Sequence, residues 1–185
     1  MKFLLFVATI SFTAISFLFV SSHLNARAHL NARDVGNRLG GDENIAIIAN
    51  PISVKASRTV GSLKPESSRF PDDFYRKSGD AILVSTDLAM QLSKVLLNDH
   101  SYPHYNGTMK DCAPEPGVVV TFSNEKKDVD IFFCFECAIL IVKTDGKATS
   151  DGLQSDFDPS RAELVRIVKK IFPKDSQIQS LNEQK

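Results

Sequence analysis

Val118-Val-Val-Thr-Phe122, Ser123-Asn-Glu-Lys-Lys-Asp128 and Val129-Asp-Ile-Phe-Phe-Cys-Phe-Glu-Cys-Ala-Ile-Leu-Ile-Val142 are consecutive, and together they decide the fold. The first and last segments are dense in β-branched and aromatic residues, which suit a pleated, half-buried backbone. The polar piece between them is short, so the pattern predicts a β-hairpin with a loop of four or five residues. From Ile131 to Val142 the chain is almost continuously apolar, so part of it is expected to be buried on both faces. Thr144-Asp-Gly-Lys147 then carries Asp-Gly, a strong turn signal.

Working outward, two amphipathic helices flank this β region. Leu88, Leu92, Val95 and Leu96 fall at i, i+4, i+7 and i+8, which predicts a helix over about 85–98. Ser85, Thr86 or Asp87 is expected to cap it by accepting a backbone N–H. Leu164, Val165, Val168, Ile171 and Phe172 predict a second helix over about 159–172. Asp158 would be its N-cap, Pro159 its first residue, Lys169 and Lys170 its cationic end, and Pro173 its stop. Helices before and after a run of consecutive strands predict an α+β domain with a small, mostly antiparallel sheet. Upstream, Ile45-Ala-Ile-Ile48 and Ile52-Ser-Val54 are expected to be edge strands separated by Asn50-Pro51. Residues 58–79, with Pro65 and Pro71, read as irregular chain. Ile178 and Leu181 are expected to pack back onto the domain.

The N-terminal region reads as a targeting segment. Phe3 to Val20 is uncharged, and Ala26-Arg-Ala28 fits a small-x-small cleavage site, so residues 1–28 are expected to be a signal peptide. The alternative is an uncleaved membrane anchor, because the run is nearly long enough to span a bilayer. His23-Leu-Asn-Ala-Arg-Ala28 repeats at once as His29-Leu-Asn-Ala-Arg-Asp34, too short to be a structural repeat. Residues 29–43 are expected to be a flexible linker and 44–185 one α+β domain. The location implied is periplasmic or extracellular.

Charge excludes some partners. The chain has 22 basic and 22 acidic residues, and losing residues 1–28 with Lys2 and Arg27 leaves about two more acids than bases. No basic stripe is present, which argues against nucleic acid and against docking on anionic lipid. Membrane contact is expected only through an uncleaved N-terminus, and a protein partner is the class left open. No phosphate loop, nucleophile elbow, zinc-protease or cofactor motif occurs, so the expectation is a chain without a cofactor and more a binding module than an enzyme.

The chemistry lies in the three cysteines, Cys112, Cys134 and Cys137. An odd number leaves at least one thiol outside any intramolecular bridge, and disulfides persist in an export compartment. Residues three apart on a regular strand face opposite ways, so Cys134 and Cys137 can pair only across a turn or bulge. Extending the predicted hairpin away from its loop sets Gly117 roughly opposite Cys134, which brings Cys137 near Cys112. Cys112 is therefore expected to bridge to Cys137 or to Cys134. Cys134 and Cys137 acting as a thiol–disulfide redox pair is an alternative, though no thiolate-stabilising helix N-terminus follows them. A weaker alternative is a metal site from Cys112, Cys134, Cys137 and His104, or His100 in its place. Glu136 is expected at a turn or solvent-facing position, Asp72, Asp73, Asp156 and Asp158 in loop or capping roles, and His100 and His104 in a solvated loop. Asn106-Gly-Thr108 matches a glycosylation acceptor.

Cys112-x-Pro-Glu-Pro-Gly-Val118, Cys134-Phe-Glu-Cys137 with Ile139-Leu140, Phe157-Asp-Pro159 with Arg161, and Phe172-Pro173 together resemble a family of uncharacterised bacterial exported proteins. The resemblance runs from Asp99 to Leu181. It implies export and a shared module, and it implies no reaction. Ala138 stands where relatives are expected to carry an acidic or polar residue.

Overall fold

A computed structural model describes residues 35–60, 75–103, 110, 112, 115, 117–148 and 154–184. The leader 1–28, the tandem repeat 23–34, Pro65, Pro71, Asp72, Asp73, His104 and the Asn106 sequon lie outside the described residues. In chain order come α1 (Asp42–Ala49), β1 (Ser53–Val60), β2 (Arg76–Leu83), α2 (Thr86–Leu96), β3 (Val118–Ser123), β4 (Asp128–Cys134), β5 (Ile139–Thr144), β6 (Lys147–Ala148), β7 (Gln154–Asp156), α3 (Arg161–Ile171) and α4 (Ser176–Gln179). The strands form one antiparallel sheet in the order β2-β1-β3-β4-β5-β6, with β7 also pairing β5. The protein is thus α+β, as its pattern predicts.

Register sorts the side chains. Val118 faces Phe133 and Val120 faces Ile131 across β3 and β4, while Phe133 faces Leu140 and Ile131 faces Val142 across β4 and β5. Because strand side chains alternate, these residues share one face with Val54 and Ala56 of β1. There they meet Ile47, Ile48, Leu92, Leu96, Leu164 and Val168 in the main core. Phe157 closes one end of that core, edge-on to both Phe133 and Phe135, with ring centroids 5.8 Å apart in each case. The alternate residues Val119, Phe132, Cys134, Ile139 and Ile141 form a second buried cluster with Tyr75 and Cys137. The central strands are therefore buried on both faces, which explains the unbroken apolar run in the sequence. Toward the other end of this second face the row turns polar. Asp130 accepts from Thr121 Oγ1 at 2.6 Å and pairs with Lys77 Nζ at 2.7 Å, and Lys143 lies over the Phe132 ring.

Several local expectations need correction. Ile45-Ala-Ile-Ile48 is helical, not an edge strand: it belongs to α1, whose buried residues Asn44, Ile47 and Ile48 sit at i, i+3 and i+4. A four-residue apolar run carries too little length to separate the two periods. Asn44 fixes the helix by donating to Leu39 O at 2.7 Å and to Thr144 Oγ1 at 3.0 Å. Residues 35–39 are helical too, and Val35 and Leu39 enter the core, where a flexible linker was expected. Within 58–79, read as irregular, β1 continues to Val60 and β2 begins at Arg76. β2 left no alternation in the sequence because, as an edge strand, it is almost wholly exposed. Its register shifts opposite Ala56–Arg58, around Gly79 at φ 68°, a bulge of the kind that blunts an open edge.

The two flanking helices are present, but their caps differ from expectation. Ser85 occupies the N-cap of α2 and makes no capping hydrogen bond. Asp158 and Pro159 begin a 3-10 turn, Asp158–Ser160, that leads into α3, and the Asp158 carboxylate is used elsewhere. Asp175 does cap α4, accepting Ile178 N at 3.0 Å, and Ile178 packs into the core as expected.

Two predictions follow from packing. Phe157→Ala removes the ring that both Phe133 and Phe135 abut and should cost about 3–5 kcal/mol in urea unfolding. Burial pushes the Tyr102 phenol well above its ordinary value, with Arg38 opposing weakly. A folded-state value raised above the unfolded one makes the contribution complete below the unfolded value and lost as pH rises beyond it. Stability should therefore fall above about pH 10. Tyr102→Phe should flatten that fall while losing, at neutral pH, the 2.6 Å bond from Tyr102 Oη to Leu96 O.

Candidate functional site

The β4–β5 connection is a turn, Phe135–Ala138, set by the pairing of Cys134 with Ile139. Cys134 is thus the last strand residue, pointing into the second cluster, and Cys137 stands within the turn. Ala138 has φ 51°, a left-handed conformation that Asn or Asp adopts more readily than Ala.

Cys112 is bonded to Cys137, with their Cα atoms 6.1 Å apart and a sequence separation of 25. The predicted register holds, since Gly117 N donates to Phe133 O at 3.1 Å, which places Gly117 beside the end of β4. Cys134 is the remaining thiol and is buried. Glu115 N donates to its Sγ at 3.3 Å, tying the Cys112 segment to β4 a second time. Of the two pairings expected for Cys112, that with Cys137 forms; neither Cys112–Cys134 nor Cys134–Cys137 does. Tyr75 covers this sulfur cluster with its ring 6.0 Å from Phe132. Burial pushes its phenol upward, and Cys134 and then Glu115 add to the shift.

The turn is held from outside through its carbonyls. Arg161 Nε donates to Phe135 O at 2.8 Å. Lys110 Nζ donates to Cys137 O at 2.6 Å and Ala138 O at 3.3 Å, and Phe157 N donates to Ala138 O at 2.9 Å. Lys110 also pairs with Asp158 at 2.6 Å and Asp156 at 3.5 Å. Asp156 and Asp158 therefore serve as anchors for this lysine. Arg161 was legible only as part of the family resemblance, and Lys110 had no signal beyond its place two residues before Cys112. Glu136 is exposed in the turn, as expected.

Two concavities lie at opposite ends of the strands. At the disulfide end a cleft of about 380 Å³ is lined by Arg58, Glu115, Phe135, Glu136, Gln177 and Asn182, among others. Each cysteine-bearing segment gives it one glutamate. Arg58 is already engaged by Gln177 Oε1 at 2.6 Å and Asp175 at 3.5 Å. At the other end a groove of about 540 Å³ runs between the end of α1, the start of β1, the end of β2 and α2. Its lining carries no charged residue. Ile52, Leu83 and Met90 stand on it with 67%, 70% and 59% of their surface exposed.

The metal alternative finds no support in this geometry. Cys112 and Cys137 are consumed by their bond, His100 is exposed beside Asp99, and His104 lies outside the described residues. Among the described residues no group of three or more His, Cys, Asp or Glu converges as a metal site.

Cys112→Ser should lower unfolding free energy by about 2–4 kcal/mol, mainly by releasing the unfolded chain. Cys134→Ala should cost only about 1 kcal/mol in lost burial. Thiol titration in denaturant should give one thiol per chain before reduction and three after. Comparison with protein-family models, with curated proteins and with solved structures found no match for the chain.

Proposed function

We propose that the chain is an exported, non-catalytic binding module whose fold is fastened by the Cys112–Cys137 bond and whose docking face is the uncharged groove bearing Ile52, Leu83 and Met90. The groove carries the binding part of this reading. Large apolar side chains grouped around an uncharged concavity are the usual mark of a protein contact surface. Ile52, Leu83 and Met90 contribute little to the core, so their exposure has a cost in solubility that folding does not explain. The bond supports export, since structural disulfides persist in oxidising compartments. The apolar segment Phe3–Val20, the Ala26-Arg-Ala28 site and the resemblance to exported bacterial proteins point the same way. Among the described residues no helix is long and apolar enough to cross a membrane. The redox alternative through Cys134 and Cys137 draws less support, because Cys137 is bonded to Cys112 and Cys134 is buried.

Two measurements test the two halves of the proposal. Mass mapping of protein recovered from its own cells should find a chain beginning near His29 with Cys112 bridged to Cys137; a cytoplasmic, fully reduced chain would overturn export. Peptides selected from a random display library on the folded domain should be rich in apolar residues. Leu83→Asp and Met90→Asp should each weaken them at least tenfold, with little change in melting temperature. Binders indifferent to both substitutions would remove the groove from the proposal.

A further inference from the structure

Cys134 sits where its sulfur has no external chemistry: it is 1% exposed and shares a buried cluster with Cys137. Its position is nevertheless tied to the partner of Cys137. Glu115 N donates to Cys134 Sγ, and Cys112 lies three residues upstream of Glu115, within about 10 Å of chain. The register that seats Gly117 opposite Cys134 brings the same segment to the same end of β4. The geometry points to an internal thiol–disulfide exchange, in which Cys134 takes Cys112 from Cys137 and leaves Cys137 as the free thiol.

The step is balanced without a co-reactant. The Cys134 thiol gives up its proton as its sulfur attacks Cys112 Sγ, and one proton ends on Cys137 Sγ. The Cys112–Cys137 bond breaks, its electron pair passes to Cys137 Sγ, and the resulting thiolate takes up a proton. One disulfide and one thiol exist before and after, so nothing is oxidised or reduced. Two features set the balance between the isomers. Ala138, next to Cys137, holds a left-handed backbone that a residue with a side chain adopts at a cost, and releasing Cys137 removes a covalent restraint from that turn. Lys110 opposes release, because its bonds to Cys137 O and Ala138 O hold the turn as it is. The exchange moves the thiol from the buried end of β4 to the turn, next in sequence to exposed Glu136. The resting chain therefore masks its thiol at the end of β4, and the exchanged chain carries it in the turn, where it can exchange with a disulfide-bearing partner.

The test is alkylation of the folded, unreduced protein with iodoacetamide at about pH 8, followed by acid quench and non-reducing peptide mapping. Cleavage after Glu136 separates Cys134 from Cys137. Label should accumulate on Cys137 together with a Cys112–Cys134 cross-linked peptide, at a rate independent of protein concentration. Cys134→Ala should abolish that label, and Lys110→Met should speed it several-fold. Label on Cys134 with the Cys112–Cys137 bond intact overturns the inference. So does the absence of label over a period in which the denatured chain is fully modified. Either result leaves the groove and the export reading untouched, since neither uses Cys134.

Discussion

The register of the β3–β4–β5 meander governs this molecule. Once Val118 pairs with Phe133 and Cys134 with Ile139, every side chain of the central strands is assigned a face. A slip of one residue would move Val118, Val120 and Phe122 away from the helices and turn Thr121 and Asp130 into the main core. The same register fixes the sulfur chemistry. It stops β4 at Cys134, puts Cys137 in the turn, and lays the Cys112 segment alongside.

That end of the sheet is built by borrowing donors. A turn whose carbonyls have no strand partner must find donors for them elsewhere. Arg161 comes from α3, Lys110 from the Cys112 segment, and the Phe157 amide from the entry to α3. Lys110 is itself balanced by Asp156 and Asp158, so β7 and the 3-10 turn are linked to the bridge electrostatically as well as through the chain. Lys110 and Arg161 thus do for the turn what hydrogen-bonded pairing does for the strands.

The strongly periodic parts of the fold were legible in the sequence: α2, α3, the hairpin, the Asp145-Gly146 turn and the position of Gly117 opposite Cys134. Asp145 and Gly146 both have positive φ, as that dipeptide predicts. What escaped was whatever depends on context. α1 was misread because Ile45-Ala-Ile-Ile48 is too short to reveal a period, and β2 because a doubly exposed strand has none. The sulfur pairing was narrowed to two partners by register, while the choice of Cys137 depended on a turn that the continuous apolar run concealed. Lys110 is invisible in sequence, since nothing marks a lysine that will meet two carbonyl oxygens. The groove is equally silent: Ile52, Leu83 and Met90 come from separate elements and become neighbours only when those elements assemble.

The placement of β1 has a kinetic consequence. β3, β4 and β5 join their neighbours through short connections, so they can zip together locally and early. β1 lies between β2 and β3, and its partners on β3 are 60 residues away at Arg58–Val118 and 70 at Ser53–Ser123. Closing so large a loop is slow, because its entropy is lost before the pairing gives anything back. Until β1 arrives, one edge of a highly apolar meander stays open, a template for pairing with another chain.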